Sequence, residues 1–200
     1  MSNRQRNVLV IAAGVVAILA AMVVKAKVPE VELAQGTHLV QQSEWDAALP
    51  HLRKAVAARP NNAEGHGLLG YCLSHMDQDQ EAQSEYERSL AIDPDQDWVQ
   101  VDLALMLVGK DDARAALLLE KGIRTVAPDA ENYKFYARAL KATGKMDEAL
   151  EAYRRAYRLN IGDKETEREL SELQKDMQTN DSAPNRQTHK ELKRPVKATR

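Results

Sequence analysis

The chain has 200 residues, 29% charged and only 4% aromatic, which suits one helical domain with appendages. Residues 1–28 carry four basic residues and no acid, and residues 179–200 carry six basic and two acidic. Between them lie 18 basic and 28 acidic residues, a net of −10, whose sign argues against nucleic-acid binding by the body of the chain. The single cysteine, Cys72, excludes an internal disulfide and a cysteine-rich zinc site; following Tyr71 on a predicted helix, it suits a small buried thiol.

Residues 8–24 form 17 consecutive positions without a polar side chain. As a helix this run spans about 25 Å, slightly short of a bilayer's hydrocarbon core. Arg6 and Lys25 flank it and can snorkel to close the gap. A buried helix of a soluble domain would show a polar stripe, and this one has none. The run therefore reads as a single-pass membrane anchor within residues 1–28. A cleaved signal peptide is the rival reading, with Val24-Lys25-Ala26 as the processing site. Arg4, Arg6 and the α-amine precede the run, against Lys25 and Lys27 after it, which Glu30 and Glu32 closely follow, a narrow excess on the N-terminal side. The positive-inside rule then places the rest of the chain outside the cytoplasm, which in a bacterium means an inner-membrane protein facing the periplasm.

Beyond the anchor the sequence repeats itself. Pro60, Pro94 and Pro128 stand 34 residues apart, and each closes a stretch of two amphipathic helical patterns. Leu69-Gly70-Tyr71, Ala82, Tyr86, Leu90 and Asp93-Pro94 make the stretch 61–94 the most regular. This period, with these residues, resembles the tetratricopeptide repeat family. The resemblance covers roughly residues 30–160 and implies an all-α solenoid of about four helix pairs.

Taken in order, the first unit (29–60) has Leu33, Gly36, Leu39 and Val40 on its first helix, and Trp45, Ala48, Leu52 and Ala55 on its second. Pro50 lies inside that second helix and is expected to kink it. In the second unit (61–94), Asp77-Gln78-Asp79 stands where the family prefers glycine and an aromatic, so a less typical turn is expected. The third (95–128) is the most divergent. Trp98 occupies the place of the family's early tryptophan but comes two residues early relative to Pro94, and Gly109 marks the turn. In the fourth (129–162), Gly144-Lys145-Met146-Asp147-Glu148-Ala149-Leu150 follows the family's turn and second-helix start closely. Residues 163–178 read as a capping helix with Asp163 as N-cap and Leu170, Leu173 and Met177 at helical spacing. Residues 179–200 lose apolar periodicity and read as a disordered basic tail.

No catalytic constellation appears. The five histidines form no HExxH pair, there is no phosphate-binding glycine loop, and Asp77, Asp79 and Glu81 lack the rest of a calcium loop. Neither an enzyme, a cofactor, a metal nor a small-molecule substrate is expected.

The resemblance implies a concave groove lined by the first helix of each pair, taking a protein or peptide partner. Helical phase places Gly67, Tyr71, Ser74 and His75 there from the second unit, and Val99, Leu103 and Met106 from the third. The fourth contributes the basic stripe Lys134, Arg138 and Lys141. The apolar third helix reads equally as a fully packed middle helix, and the basic stripe as a solvated face. If it is a site, the stripe suits an acidic peptide or a C-terminal carboxylate.

The resulting expectation is a membrane-anchored interaction scaffold that recruits a partner peptide during assembly of an envelope complex. A soluble periplasmic chaperone-like binder, released after cleavage, and a self-assembling structural subunit are the alternatives.

Overall fold

The computed structural model describes residue 22 and residues 27–182, and every regular element among them is a helix. The expected membrane segment, apart from Met22, and the tail beyond Ser182 lie outside the described residues. Among the described residues no helix is long and apolar enough to cross a membrane. The helices are α1 (27–41), α2 (Trp45–Ala58), α3 (Ala63–Ser74), α4 (Asp79–Ile92), α5 (Asp97–Leu107), α6 (Asp112–Gly122), α7 (Ala130–Ala142), α8 (Met146–Leu159) and α9 (Lys164–Ser182). The chain divides into two compact units between Met106 and Leu107.

In the first unit the helices pair because small residues let their backbones approach. A Cβ on Gly36 would lie 2.6 Å from Leu52 Cδ2, and one on Gly70 would lie 2.8 Å from Tyr86 Cδ1 and 3.1 Å from the Ala82 carbonyl. These two glycines are one 34-residue period apart and hold the α1–α2 and α3–α4 seams. Around them Leu52, Leu69, Leu73, Ala82 and Tyr86 are buried. The Ser89 hydroxyl ties α4 to the start of α3 by donating to the Ala63 carbonyl at 2.7 Å. His51 of α2 and Arg59, just beyond its end, meet Glu32 and Glu30 of α1 at 2.6 and 2.9 Å. Cys72 is buried, its thiol donating to the Trp45 carbonyl at 3.4 Å. Helix α2 runs unbroken through the exposed Pro50. The proline ring forfeits the bond from position 50 to the Asp46 carbonyl, and the helix continues on both sides of it.

Three of the within-pair turns share one geometry. Ser43, Asp77 and Gly144 take the left-handed conformation (φ 59°, 57° and 81°). The next N–H then reaches five residues back: Glu44 to Leu39, Gln78 to Leu73 and Lys145 to Leu140, at 2.9–3.0 Å. This bond satisfies carbonyls that a helix end leaves orphaned. The Asp77 turn is thus of the ordinary kind despite lacking glycine, because a short polar side chain tolerates this conformation at modest cost.

In the second unit α6, α7, α8 and α9 pack consecutively. Leu119, Ala137, Leu140, Ala149, Tyr153, Ala156 and Leu173 are buried there. Asp111 and Asp129 cap α6 and α7 through side-chain bonds to the Arg114 and Asn132 N–H groups. Asp163 accepts from the Glu165 N–H at 3.1 Å and from the buried Thr166 hydroxyl at 2.6 Å, starting α9. That helix continues to Ser182, so residues 179–182 are helical and not part of a disordered tail. Loss of apolar periodicity does not end a helix already nucleated, because each added residue costs little and gains one bond.

Candidate functional site

A polar residue recurs at a 34-residue spacing in α3, α5 and α7: His66, Gln100 and Lys134, all buried. His66 Nε2 donates to the Pro60 carbonyl at 2.9 Å, and the Gln100 amide donates to the Pro94 carbonyl in the same way. Each reaches six residues back to the loop that ends the preceding pair, which fixes the rotational setting of its helix. Trp98 is therefore not the counterpart of the family's early tryptophan, because Gln100 holds that register. Taking Trp98 for it shifts α5 by two residues, a rotation of about 200°.

The consequence is a correction to the expected groove. Val99 and Leu103 are fully buried and belong to the core, while Met106 is half-buried. Trp98 and Asp102 stand beside α3 in their place. The edges of the Trp98 ring would meet a Cβ on Gly67 at 2.9 Å, so only glycine there admits the indole.

The face so formed on α3 and α5 carries an aromatic cluster. Tyr71 is edge-on to Trp45, with centroids 5.9 Å apart, and to Trp98, at 6.4 Å. His75 stacks on Trp45 at 4.4 Å and lies 4.3 Å from Tyr71. Its Nδ1–H donates to the Tyr71 carbonyl at 2.9 Å. Trp45, Tyr71 and Trp98 are half-buried and His75 is exposed, so this cluster is not sealed core.

Asp102 lies at its inner edge. Its carboxylate accepts from the buried Tyr86 hydroxyl at 3.3 Å, a long bond, and no lysine or arginine among the described residues pairs with it. Burial pushes the Asp102 carboxyl up to about 6, against smaller opposing effects of the Tyr86 hydrogen bond and His75. Burial and the Asp102 charge together also raise the Tyr71 phenol.

This predicts a pH-dependent stability cost. A carboxyl whose folded pKa lies above its unfolded value makes the native state bind more protons, so stability falls as pH rises from about 4 to about 6. Asp102→Asn, which keeps the shape and the Tyr86 contact, removes that fall. Its stability advantage over the native chain should be about 2 kcal/mol larger at pH 7.5 than at pH 4.5, read from urea midpoints. A pH-independent difference would show that Asp102 is adequately solvated.

The basic stripe of the second unit is closed by the chain itself. Lys134 is buried, its Nζ 2.8 Å from Glu165, 3.2 Å from Glu131 and 3.8 Å from Asp163. Burial pulls the ammonium down, but the hydrogen bonds with Glu165 and Glu131 outweigh it and hold Lys134 above its ordinary value. The Arg138 guanidinium grips Glu169 through Nε (3.0 Å) and Nη2 (2.6 Å) and also meets Glu165 at 2.9 Å. Glu169 is the main cause of a further rise in the Arg138 pKa. Lys141 is half-buried and has no ion pair among the described residues. Two of the three expected groove cations thus anchor α9, and the reading of the stripe as a solvated face also fails.

Sequence reasoning brought Tyr71 and His75 to this site but missed Trp45, Trp98 and Asp102. The recurrence of His66 and Gln100, each six residues after a proline, was the signal that could have found the last two. Among the described residues no group of three or more histidine, cysteine or acidic side chains is placed to hold a metal.

Models of the tetratricopeptide repeat match residues 39–101 and residues 130–160. No curated protein matches the chain significantly. A MamA chain from Desulfovibrio magneticus RS-1 is 17% identical with a TM-score of 0.63, over 77% of this chain and 86% of that one. PilF of Pseudomonas aeruginosa is 20% identical with a TM-score of 0.59, over 78% and 71%. YrrB, described as a TPR protein with an unusual peptide-binding site, is 19% identical with a TM-score of 0.62, over 68% and 70%. At these identities the likeness is one of fold. The chain carries tetratricopeptide repeats over residues 39–101 and 130–160, set in a fold whose regular elements, among the described residues, are all helices.

Proposed function

We propose that this chain is a membrane-anchored scaffold whose first unit recruits an extended segment of a partner protein during assembly of an envelope complex. One observation carries the reading. The face of α3 and α5 presents half-buried aromatic rings and a carboxylate without a lysine or arginine partner, whereas the cations Lys134 and Arg138 of α7 are taken up by α9. Aromatic rings of this kind provide large contact area at low entropic cost and are enriched where proteins bind one another. The anchoring half of the proposal rests on residues 8–24 and their basic flanks, which also favour placing the repeats outside the cytoplasm.

Capture from native membranes tests the first half. The full-length chain should retain a partner that a Tyr71→Ala, His75→Ala double variant loses while its helix content is unchanged; equal capture by both would remove the face from consideration. Alkaline carbonate extraction tests the second. The chain should stay with the membrane and begin at Met1 or Ser2, and a released form beginning at Lys27 would support the cleaved alternative.

A further inference from the structure

Tyr71 holds the centre of the open face, with an indole on either side and beside it a carboxylate that no lysine or arginine among the described residues pairs with. On the first helices of two other pairs, acids are matched by cations. Glu32 of α1 has His51 and Lys54, and Glu131 of α7 has Lys134. Asp102 has a hydroxyl at 3.3 Å and the weaker influence of His75, with no lysine or arginine paired to it among the described residues. A partly desolvated carboxylate without a counter-charge is an unfavourable arrangement unless a ligand supplies the charge. The surrounding rings favour the same ligand, since their faces carry negative potential and attract ammonium and, above all, guanidinium groups.

Resting on the reading of this face as the partner-binding one, we propose that Trp45, Tyr71, Trp98 and Asp102 form a receptor for one basic side chain, arginine or lysine, of an extended peptide segment. The aliphatic stem would lie along the rings and the charged head would pair with Asp102, taking the hydrogen bonds that its carboxylate lacks. An acidic side chain would meet Asp102 as a like charge and is excluded. The site therefore selects a partner opposite in charge to the one the basic stripe of α7 had suggested.

The chain has two tryptophans, and both are in the cluster, so their emission reports on this site alone. Full-length protein is titrated with a capped five-residue alanine–serine peptide carrying one central arginine, and with the same peptide carrying citrulline, which is isosteric and neutral. The arginine peptide should change the emission saturably and bind at least about tenfold more tightly than the citrulline peptide, equivalent to about 1.4 kcal/mol. Asp102→Asn should reduce that preference to near unity with helix content intact. Equal binding of the two peptides, or a preference unchanged by Asp102→Asn, would overturn the proposal. Equal binding that Tyr71→Ala abolishes would overturn the cation while leaving the binding face in place. Absence of a saturable change with either peptide would overturn the receptor outright.

Discussion

Ala82→Trp should lower the stability of the chain by about 3 kcal/mol, visible as a drop in the thermal or urea midpoint with the helical spectrum below it unchanged. Ala82 is fully buried, and its carbonyl stands 3.1 Å from where a Cβ on Gly70 would be. The two small residues are what lets α3 and α4 approach, and Tyr86 fills the space beside them. An indole at position 82 has no cavity to enter, so the helices must separate or Tyr86 must leave its place. Arg88→Trp, an exposed substitution on the same helix, should change stability by about 0.5 kcal/mol or less. Similar effects for the two variants would contradict the pairing of α3 with α4 through this seam.

Glu169→Ala should cost about 2 kcal/mol and loosen α9. The magnitude lies between that of an exposed ion pair, below about 1 kcal/mol, and that of a broken buried pair, about 3–5 kcal/mol. The Arg138 and Glu169 side chains are 28% and 17% exposed, and their contact is bidentate, which places the pair between these limits. Glu165 still meets Arg138 in the variant, so part of the attraction remains. The Tyr153 phenol, raised chiefly by burial and also bonded to Glu169, loses a partner as well. Amide hydrogen exchange along 164–182 should quicken by about tenfold or more while that of α3 and α4 is unchanged. Combined with Arg138→Ala, the loss should fall short of the sum of the single losses, since the two groups act on each other. Additive losses would show that α9 is held by the burial of Leu173 and not by its acids.

Much of this architecture was legible because repetition and close packing leave strong marks on a sequence. Three prolines at one period, Gly36 and Gly70 at the same period, and the Ala82–Tyr86 spacing each record a seam between two helices. The turn at Asp77 was less legible, since its geometry comes from backbone hydrogen bonds that do not require glycine. The phase of α5 was read wrongly because a tryptophan is a conspicuous residue and a glutamine is not. The glutamine, through its bond to the Pro94 carbonyl, sets the helix rotation, and the tryptophan ring comes to lie against Gly67 and Tyr71. The closure of the basic stripe was missed although its signal was present. Lys134 and Arg138 share a four-residue spacing with Glu165 and Glu169, 31 residues on, and such matched spacings allow two helices to pair side by side. Which of two candidate faces remains open depends on that pairing, a contact between elements that no single stretch of sequence displays.

The most direct measurement is site-specific photo-crosslinking of the full-length chain in its native membranes, with a benzophenone residue placed at His75, at Lys141, or at Arg88 on the exposed side of α4. The account predicts adducts with one partner protein from His75, and none with it from Lys141 or Arg88. Adducts from Lys141 in the absence of any from His75 would contradict it, because they would place the partner on α7 and not on the aromatic face of the first unit.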